Sequence, residues 1–236
     1  MKSAWLTIDI EKGGDDLDTP ILAVGLVVGD EDGNILEESR WCIKADEKCL
    51  EPRCKREFWD KQGDLFDFLQ QNAMPATEIW PALAAHLDKI YAQYNIKHVV
   101  SDNPAYDVGH TDYYLKKYAR RIGLRYSSDG AYHSIADPSE QFKGLPGTVQ
   151  QWVSHKSRQY LDQFHNRPHD PLCDARGIYA QMVFVNKYRK NKLSCLNYSE
   201  LALEGLVCTG KGLWNMGKWG SCKIRDMLFP TKIVRW

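Results

Sequence analysis

The sequence predicts an α/β domain with a mixed central sheet, its first three strands antiparallel and its later strands parallel, flanked by helices. Three observations carry this. Leu6, Ile8 and Ile10 alternate with Trp5, Thr7, Asp9 and Glu11, the period of two that marks a strand. Ile21 to Gly29 is a second apolar run, and Asp32-Gly33 supplies a hairpin signal before a third strand from Ile35 to Lys44. Further along, helical spacing alternates with short apolar runs, as in strand–helix–strand units.

Each element has its own signal. Cys49 to Asn72 is polar and mixed, with Phe58 and Trp59 set among charges. That aromatic pair can stack on bases or can pack the connection onto the sheet. Thr77 to Tyr94 reads as a helix, because Ile79, Leu83, Leu87, Ile90, Tyr91 and Tyr94 recur at three- and four-residue spacing behind Thr77 as N-cap. Lys97 to Ser101 is a short strand that empties into Asp102-Asn103-Pro104. A helix from about Val108 to Ile122 follows, with Gly123 at its C′ position. A strand over Ala131 to Ile135, a helix through Gln150 and Trp152, and a polar loop from His155 to Pro168 come next. So wet a loop before an apolar helix is a candidate active-site flap. Asp170 then fits as N-cap and Pro171 as first residue of a helix running to about Lys187.

Size and composition set limits. The chain has 236 residues, 43% apolar and 26% charged, an ordinary balance for a soluble globular protein. Domain boundaries are placed at 1–192 and 193–236, the second a basic, tryptophan-containing extension packed on the first. No apolar run approaches the length of a membrane span, and no signal-peptide core precedes the first strand, so a cytoplasmic protein without membrane contact is expected. Seven cysteines, an odd number without CxxC spacing, point to reduced thiols. Cys49 and Cys54 could pair or hold a metal, against the commoner case of scattered thiols. The formal net charge is zero, yet from Val183 to Trp236 there are ten Lys/Arg against three Asp/Glu. A basic end suits a polyanionic partner. Its tryptophans can grip single strands or pack across the domain.

The chemistry gathers at element ends. Asp9 and Glu11 are neighbours on one face of the first strand, where two carboxylates repel unless a cation lies between them. A hard divalent cation answers that need, and an acidic solvated loop is the alternative. Asp107 follows the fourth strand near a helix N-terminus, where ligands of α/β sheets collect or where an Asp simply caps. Asp174 is one turn into the last helix, and His169 lies just before the Asp170 cap.

In this order the residues resemble the DEDDh branch of the DnaQ-like 3′–5′ exonucleases, on the ribonuclease H-like fold. Asp9-Ile10-Glu11-Lys12-Gly13-Gly14 resembles the first motif, Asp-x-Glu-x-x-Gly, and Pro20 to Gly25 the second-strand pattern. Asn103-Pro104-Ala105-Tyr106-Asp107 resembles the second motif, and His169 to Asp174 the third, His-x₄-Asp, followed by Ala175. The likeness covers roughly residues 4 to 190. The sister branch with tyrosine in place of histidine is disfavoured, since Asp170 stands four residues before Asp174.

The resemblance implies a chemistry. Two Mg²⁺ or Mn²⁺ ions would sit about 3.5–4 Å apart across a scissile phosphate. Asp9 would bridge them, Glu11 and Asp174 would hold the ion carrying the attacking water, and Asp107 would support the other. His169 would be the general base. The substrate would be nucleic acid with a free 3′ end, single-stranded and DNA slightly before RNA, releasing nucleoside 5′-monophosphates. Lys12 and Gly13 stand where the family often has two threonines that help hold the terminal nucleotide. They join Asn103, Tyr106, Phe58 and Trp59 as candidate substrate contacts. A dimer is compatible with the sequence. Two alternatives stand beside this reading: a binding module of the same fold without catalysis, and a helical phosphohydrolase using His169-Asp170, which the strand-rich first 45 residues oppose.

Overall fold

The computed structural model describes residues 1–127, 130–138, 140 and 169–190, with side chains to Lys187. Within these lie β1 (Lys2–Lys12), β2 (Ile21–Gly29), β3 (Ile35–Cys42), α1 (Pro52–Glu57), α2 (Leu65–Gln71), α3 (Ala76–Gln93), β4 (Tyr94–Val100), α4 (Pro104–Ala119), β5 (Ser134–Ala136) and α5 (Pro171–Lys190). One mixed sheet runs in the order β3-β2-β1-β4-β5. The first three strands pair antiparallel, and β4 joins β1 and β5 in parallel. This is the predicted mixed α/β sheet.

Both faces of the sheet are covered. Leu6, Ile8 and Ile10 join Val24 and Leu26 against α3 and α4 in the larger core. Trp5, Val27 and Val100 face the other way, onto Leu172, Ala175, Ile178 and Tyr179 of α5. A third cluster seats Trp59, Leu65 and Leu69 against Leu22 and Ala23 of β2. Moving β1 by one residue would drive Asp9 and Glu11 into the α3/α4 core and withdraw Leu6 and Ile8. Each lost aliphatic side chain costs about 1.5–3 kcal/mol, so the register is fixed by burial.

Several boundaries differ from those expected, for local reasons. β3 stops at Cys42 rather than Lys44, because Ile43 leaves the ladder to bridge Met74. α3 begins at Ala76 with Pro75, not Thr77, at the N-cap position, and β4 follows it at once from Tyr94 because Tyr94 and Ile96 are buried. α4 starts at Pro104, not Val108: proline at the first helical position has its φ already set and needs no N–H partner. Asp107 is therefore inside the first turn. At the other end Arg120, not Gly123, takes the left-handed conformation, with φ 53°. Gly123 is required for space instead, since a Cβ there would come within 2.8 Å of the Asp112 carboxylate. β5 covers only Ser134–Ala136 of the expected strand. The expected helix through Gln150 and Trp152, the flap at His155–Pro168 and the extension 193–236 lie outside the described residues. No described helix is long and apolar enough to cross a membrane.

Candidate active site

β1 is the strand at which the sheet changes direction, antiparallel to β2 on one side and parallel to β4 on the other. Crevices beyond strand ends at such a switch are where α/β sheets collect ligands. Asp9 and Glu11 stand there, and the β1–β2 register shifts between Glu11 and Lys12. Glu11 is only 8% exposed.

β4 delivers the next group. Its last residue is followed by Ser101 and Asp102, and α4 then places Asp107, 3% exposed, over the strand end. Ser101 fixes this junction: its hydroxyl donates to Asp107 Oδ2 and accepts from the Asn103 N–H at 3.0 Å. The third group comes from the opposite face of the sheet. Asp170 caps α5, its Oδ1 accepting the Leu172 N–H at 3.1 Å, and Asp174 lies one turn on. The helix start presses directly on β2 at Gly25, where any Cβ would overlap the Pro171 carbonyl. His169 precedes the cap in the left-handed region, φ 61°, an uncommon conformation for a residue with a side chain.

The four predicted acids and the histidine meet in one place, as two groups. Glu11, His169 and Asp174 can each offer a ligand atom within 4.8 Å of the others, and so can Asp9, Asp102 and Asp107. His169 Nδ1 is 3.7 Å from Glu11 Oε1. Asp102 was given no role by sequence reasoning. The available signal was an acid two residues past the end of an apolar strand lying parallel to β1. Ser101 was likewise missed, since its part is to orient Asp107.

The electrostatics follow from crowding like charges in a dry place. Burial, then the nearby Asp107, Glu11, Asp174 and Asp102 carboxylates, raises the Asp9 pKa well above the usual carboxylate range. Burial raises Glu11 to about 7 against the lowering effect of the neighbouring His169 imidazole. Burial likewise raises Asp107 to about 7, opposed by the Ser101 hydrogen bond and pushed further by Asp102 and Glu11. The His169 imidazole is moved upward, chiefly by the Glu11 carboxylate beside it. Asp9 Oδ2 is buried without a hydrogen-bond partner. A buried carboxylate oxygen with no donor, surrounded by further carboxylates, is a costly arrangement in the protein alone. An all-carboxylate set of this kind fits a hard divalent cation such as Mg²⁺ or Mn²⁺.

The candidate substrate contacts separate into two kinds. Lys12 is 4% exposed, and its ammonium donates to the Gly14 carbonyl at 3.1 Å and to Thr19 Oγ1 at 2.8 Å. Gly13 exchanges backbone hydrogen bonds with Pro20 and Glu51. Trp59 is 4% exposed, with its indole N–H donating to the Lys12 carbonyl at 3.2 Å. Their polar groups thus build the wall behind β1. Phe58, in contrast, is partly exposed and meets the His169 ring edge-on, 4.7 Å between centroids. Asn103 is exposed beside Asp102, and Tyr106 reaches the Gly14 carbonyl at 3.3 Å.

No model of a known protein family matches the chain, and no curated protein sequence does. Solved structures do resemble it. A moderately thermophilic exonuclease I from Methylocaldum szegediense superposes with a TM-score of 0.57 at 14% identity over 86% of this chain. The zinc-bound form of E. coli exonuclease I complexed with single-stranded DNA gives 0.52 at 12% identity over 84% of this chain. E. coli exonuclease I bound to a 5cy-dT13 oligonucleotide also gives 0.52, at 12% identity over 81%. The chain spans less than half the length of these proteins, 45%, 43% and 42% respectively. At such identity the likeness speaks to architecture, and with the sheet order and flanking helices described above it gives the chain the ribonuclease H-like fold of these exonucleases.

Proposed function

We propose that the protein is a metal-dependent 3′–5′ exonuclease of the DEDDh type, hydrolysing phosphodiester bonds of single-stranded nucleic acid from a free 3′ end. The observation that carries this reading is the convergence of Asp9, Glu11, Asp107, Asp174 and His169 from three elements on one strand end, in two groups of ligand atoms.

Asp9, Asp107 and the neighbouring Asp102 would hold one divalent ion, and Glu11 and Asp174 the other, with Asp9 shared between them. The ions would supply Lewis acidity and charge neutralisation at the phosphate. Ser101 keeps the Asp107 carboxylate aimed at the crevice. His169 takes the proton from the attacking water as the water oxygen bonds to phosphorus. The bond from phosphorus to the 3′-oxygen of the preceding nucleotide breaks, that oxygen takes a proton from solvent to become the new 3′-hydroxyl, and a nucleoside 5′-monophosphate leaves. Glu11, its carboxylate 3.7 Å from the imidazole, stabilises the imidazolium so formed. Phe58, Asn103 and Tyr106 would line the approach and touch the terminal nucleotide. Lys12, Gly13 and Trp59 support that approach from behind. DNA is slightly favoured over RNA in this reading.

The test is release of mononucleotides from oligomers labelled at the 3′ end, single- and double-stranded, DNA and RNA, with free or blocked 3′ ends, in Mg²⁺ and in Mn²⁺. Activity that needs a free 3′ end and a divalent ion, and disappears in Asp9→Ala and Asp174→Ala, is expected. Activity unchanged in either variant overturns the assignment, and no turnover in Mn²⁺ makes the protein a binding module. In His169→Ala the rate should fall far more than metal affinity; the reverse would make His169 a ligand.

A further inference from the structure

One polar pair beside the site is unused by this chemistry. Asp9, Gly25 and Arg40 lie side by side across β1, β2 and β3, because Asp9 pairs with Gly25 and Gly25 with Arg40. Directly opposed residues point to the same face. On that face the start of α5 rests on bare Gly25, and Arg40 reaches over it. Arg40 Nε donates to Asp170 Oδ1 at 2.9 Å, and its Nη2 donates to Asp170 Oδ2. The fork grips a carboxylate only 2% exposed, the same one that caps α5. The guanidinium also lies over the Phe68 ring, 5.1 Å from its centroid.

An ion pair with one partner buried, here the Asp170 side chain at 3% against that of Arg40 at 28% exposure, contributes little net stability, because desolvating the carboxylate offsets much of the attraction. What a bidentate fork adds is direction. The residue it holds adjoins His169, whose left-handed backbone turns the imidazole towards Glu11 and against the edge of Phe58. We propose that Arg40 is a positioning residue: through its fork on Asp170 it fixes the turn that aims His169 into the site. The inference rests on His169 acting as the base.

Arg40→Lys keeps the charge and loses the fork. Arg40→Gln/Asp170→Asn removes both charges, leaves no orphan ion and guards against a trivial folding failure. In single-turnover cleavage of a 3′-labelled oligonucleotide, both should lose about ten- to a hundredfold in rate, the range for supports of reacting groups. Mg²⁺ affinity and oligonucleotide Kd should stay close to wild type. Added to His169→Ala, Arg40→Lys should cause no further loss, since its effect passes through the imidazole. A fully active Arg40→Lys, or a loss that multiplies with that of His169→Ala, overturns the proposal. If the wild type has no nuclease activity, the proposed function fails, and the inference is decided by nuclear magnetic resonance. The His169 Hε1 resonance, identified by its loss in His169→Ala, should move towards that of free histidine in the double variant; an unmoved resonance sinks the idea.

Discussion

Aspartates beside opposite ends of β1 behave in opposite ways. At the hairpin end, Asp30 is 5% exposed and fully engaged. Its Oδ1 accepts the backbone N–H groups of Asp32 at 3.0 Å and Asn34 at 2.9 Å, and its Oδ2 meets Lys2 Nζ at 2.9 Å. Burial raises its pKa, but these donors together outweigh burial and hold the carboxyl well below its usual range. At the site end, Asp9, Glu11 and Asp107 share space with one another and are pushed upward. The same residue type is satisfied by the protein in one place and left facing like charge in the other. A fold tolerates the second arrangement only as a small share of its stability, and the arrangement makes sense when a cation completes it.

The largest effect that can break this comparison comes from neutralising one carboxylate at the site end. Asp9→Asn should lower mononucleotide release by at least roughly a thousandfold, the scale of losing a main electrostatic contact at the reacting phosphate. The same change should raise the melting temperature of the metal-free protein, because it removes a charge and one side of four repulsions. Loss of activity with loss of stability would mean that Asp9 is a structural residue like Asp30. The paired measurements are a 3′-end cleavage assay and a thermal melt in a chelator.

Metal and pH should separate the two ends next. Groups whose folded pKa lies above the unfolded value bind more protons when folded, so they favour folding at low pH. For Glu11 and Asp107, raised to about 7 from ordinary values near 4, metal-free stability should fall as pH climbs from about 4 through 7. A divalent ion reverses that penalty. At a concentration of about 100 Kd it adds about 2.7 kcal/mol, or roughly 5–11 °C for a domain of this size. The Mg²⁺-induced rise should therefore be larger at pH 8 than at pH 5.5. An equal rise at both would place the ion elsewhere.

Ser101 offers a smaller and more local probe. Its hydroxyl orients Asp107, and supports of this kind typically carry ten- to a hundredfold in metal affinity. Ser101→Ala should weaken Mn²⁺ binding by that factor, read by isothermal titration, with little change in melting temperature of the metal-free protein. A full loss of folding would show the hydroxyl to be a structural strut of the β4–α4 junction.

How much of this was legible from residues alone depends on where the signal is stored. β1 and β2 were readable because strand alternation and apolar runs are local, and Ile21–Gly29 has the bounds expected. The Asp9–Glu11 pair was visible for the same reason, as were the proline and aspartate that open α5. Helix ends were harder. Gly123 looked like a C′ residue, but tertiary contact with Asp112 claimed it and Arg120 took the turn. Asp102 and Arg40 were invisible because their partners are distant in sequence: Asp102 gains Asp9 by parallel pairing of β4 with β1, and Arg40 gains Asp170 across 130 positions. A pattern within ten residues cannot encode a meeting that only the finished sheet creates.

The smallest effect tests the satisfied end. Asp30→Asn keeps an amide oxygen for the backbone donors and loses only charge, and Lys2, whose side chain is 55% exposed, contributes little through its ion pair. The cost at pH 7 should be about 1 kcal/mol, with nuclease activity untouched. Because the folded carboxyl titrates below its unfolded value near 4, its contribution is complete above that value and is lost as pH falls through and below it. The difference between wild type and Asp30→Asn, followed by urea unfolding, should thus shrink as pH drops from 5 to 3. Over the same interval the Asp9→Asn difference should also shrink, but from the other sign, since the variant begins as the more stable protein. If both differences carry the same sign at pH 7, the two ends of β1 use their aspartates alike, and the contrast that marks one of them as a cation site is lost.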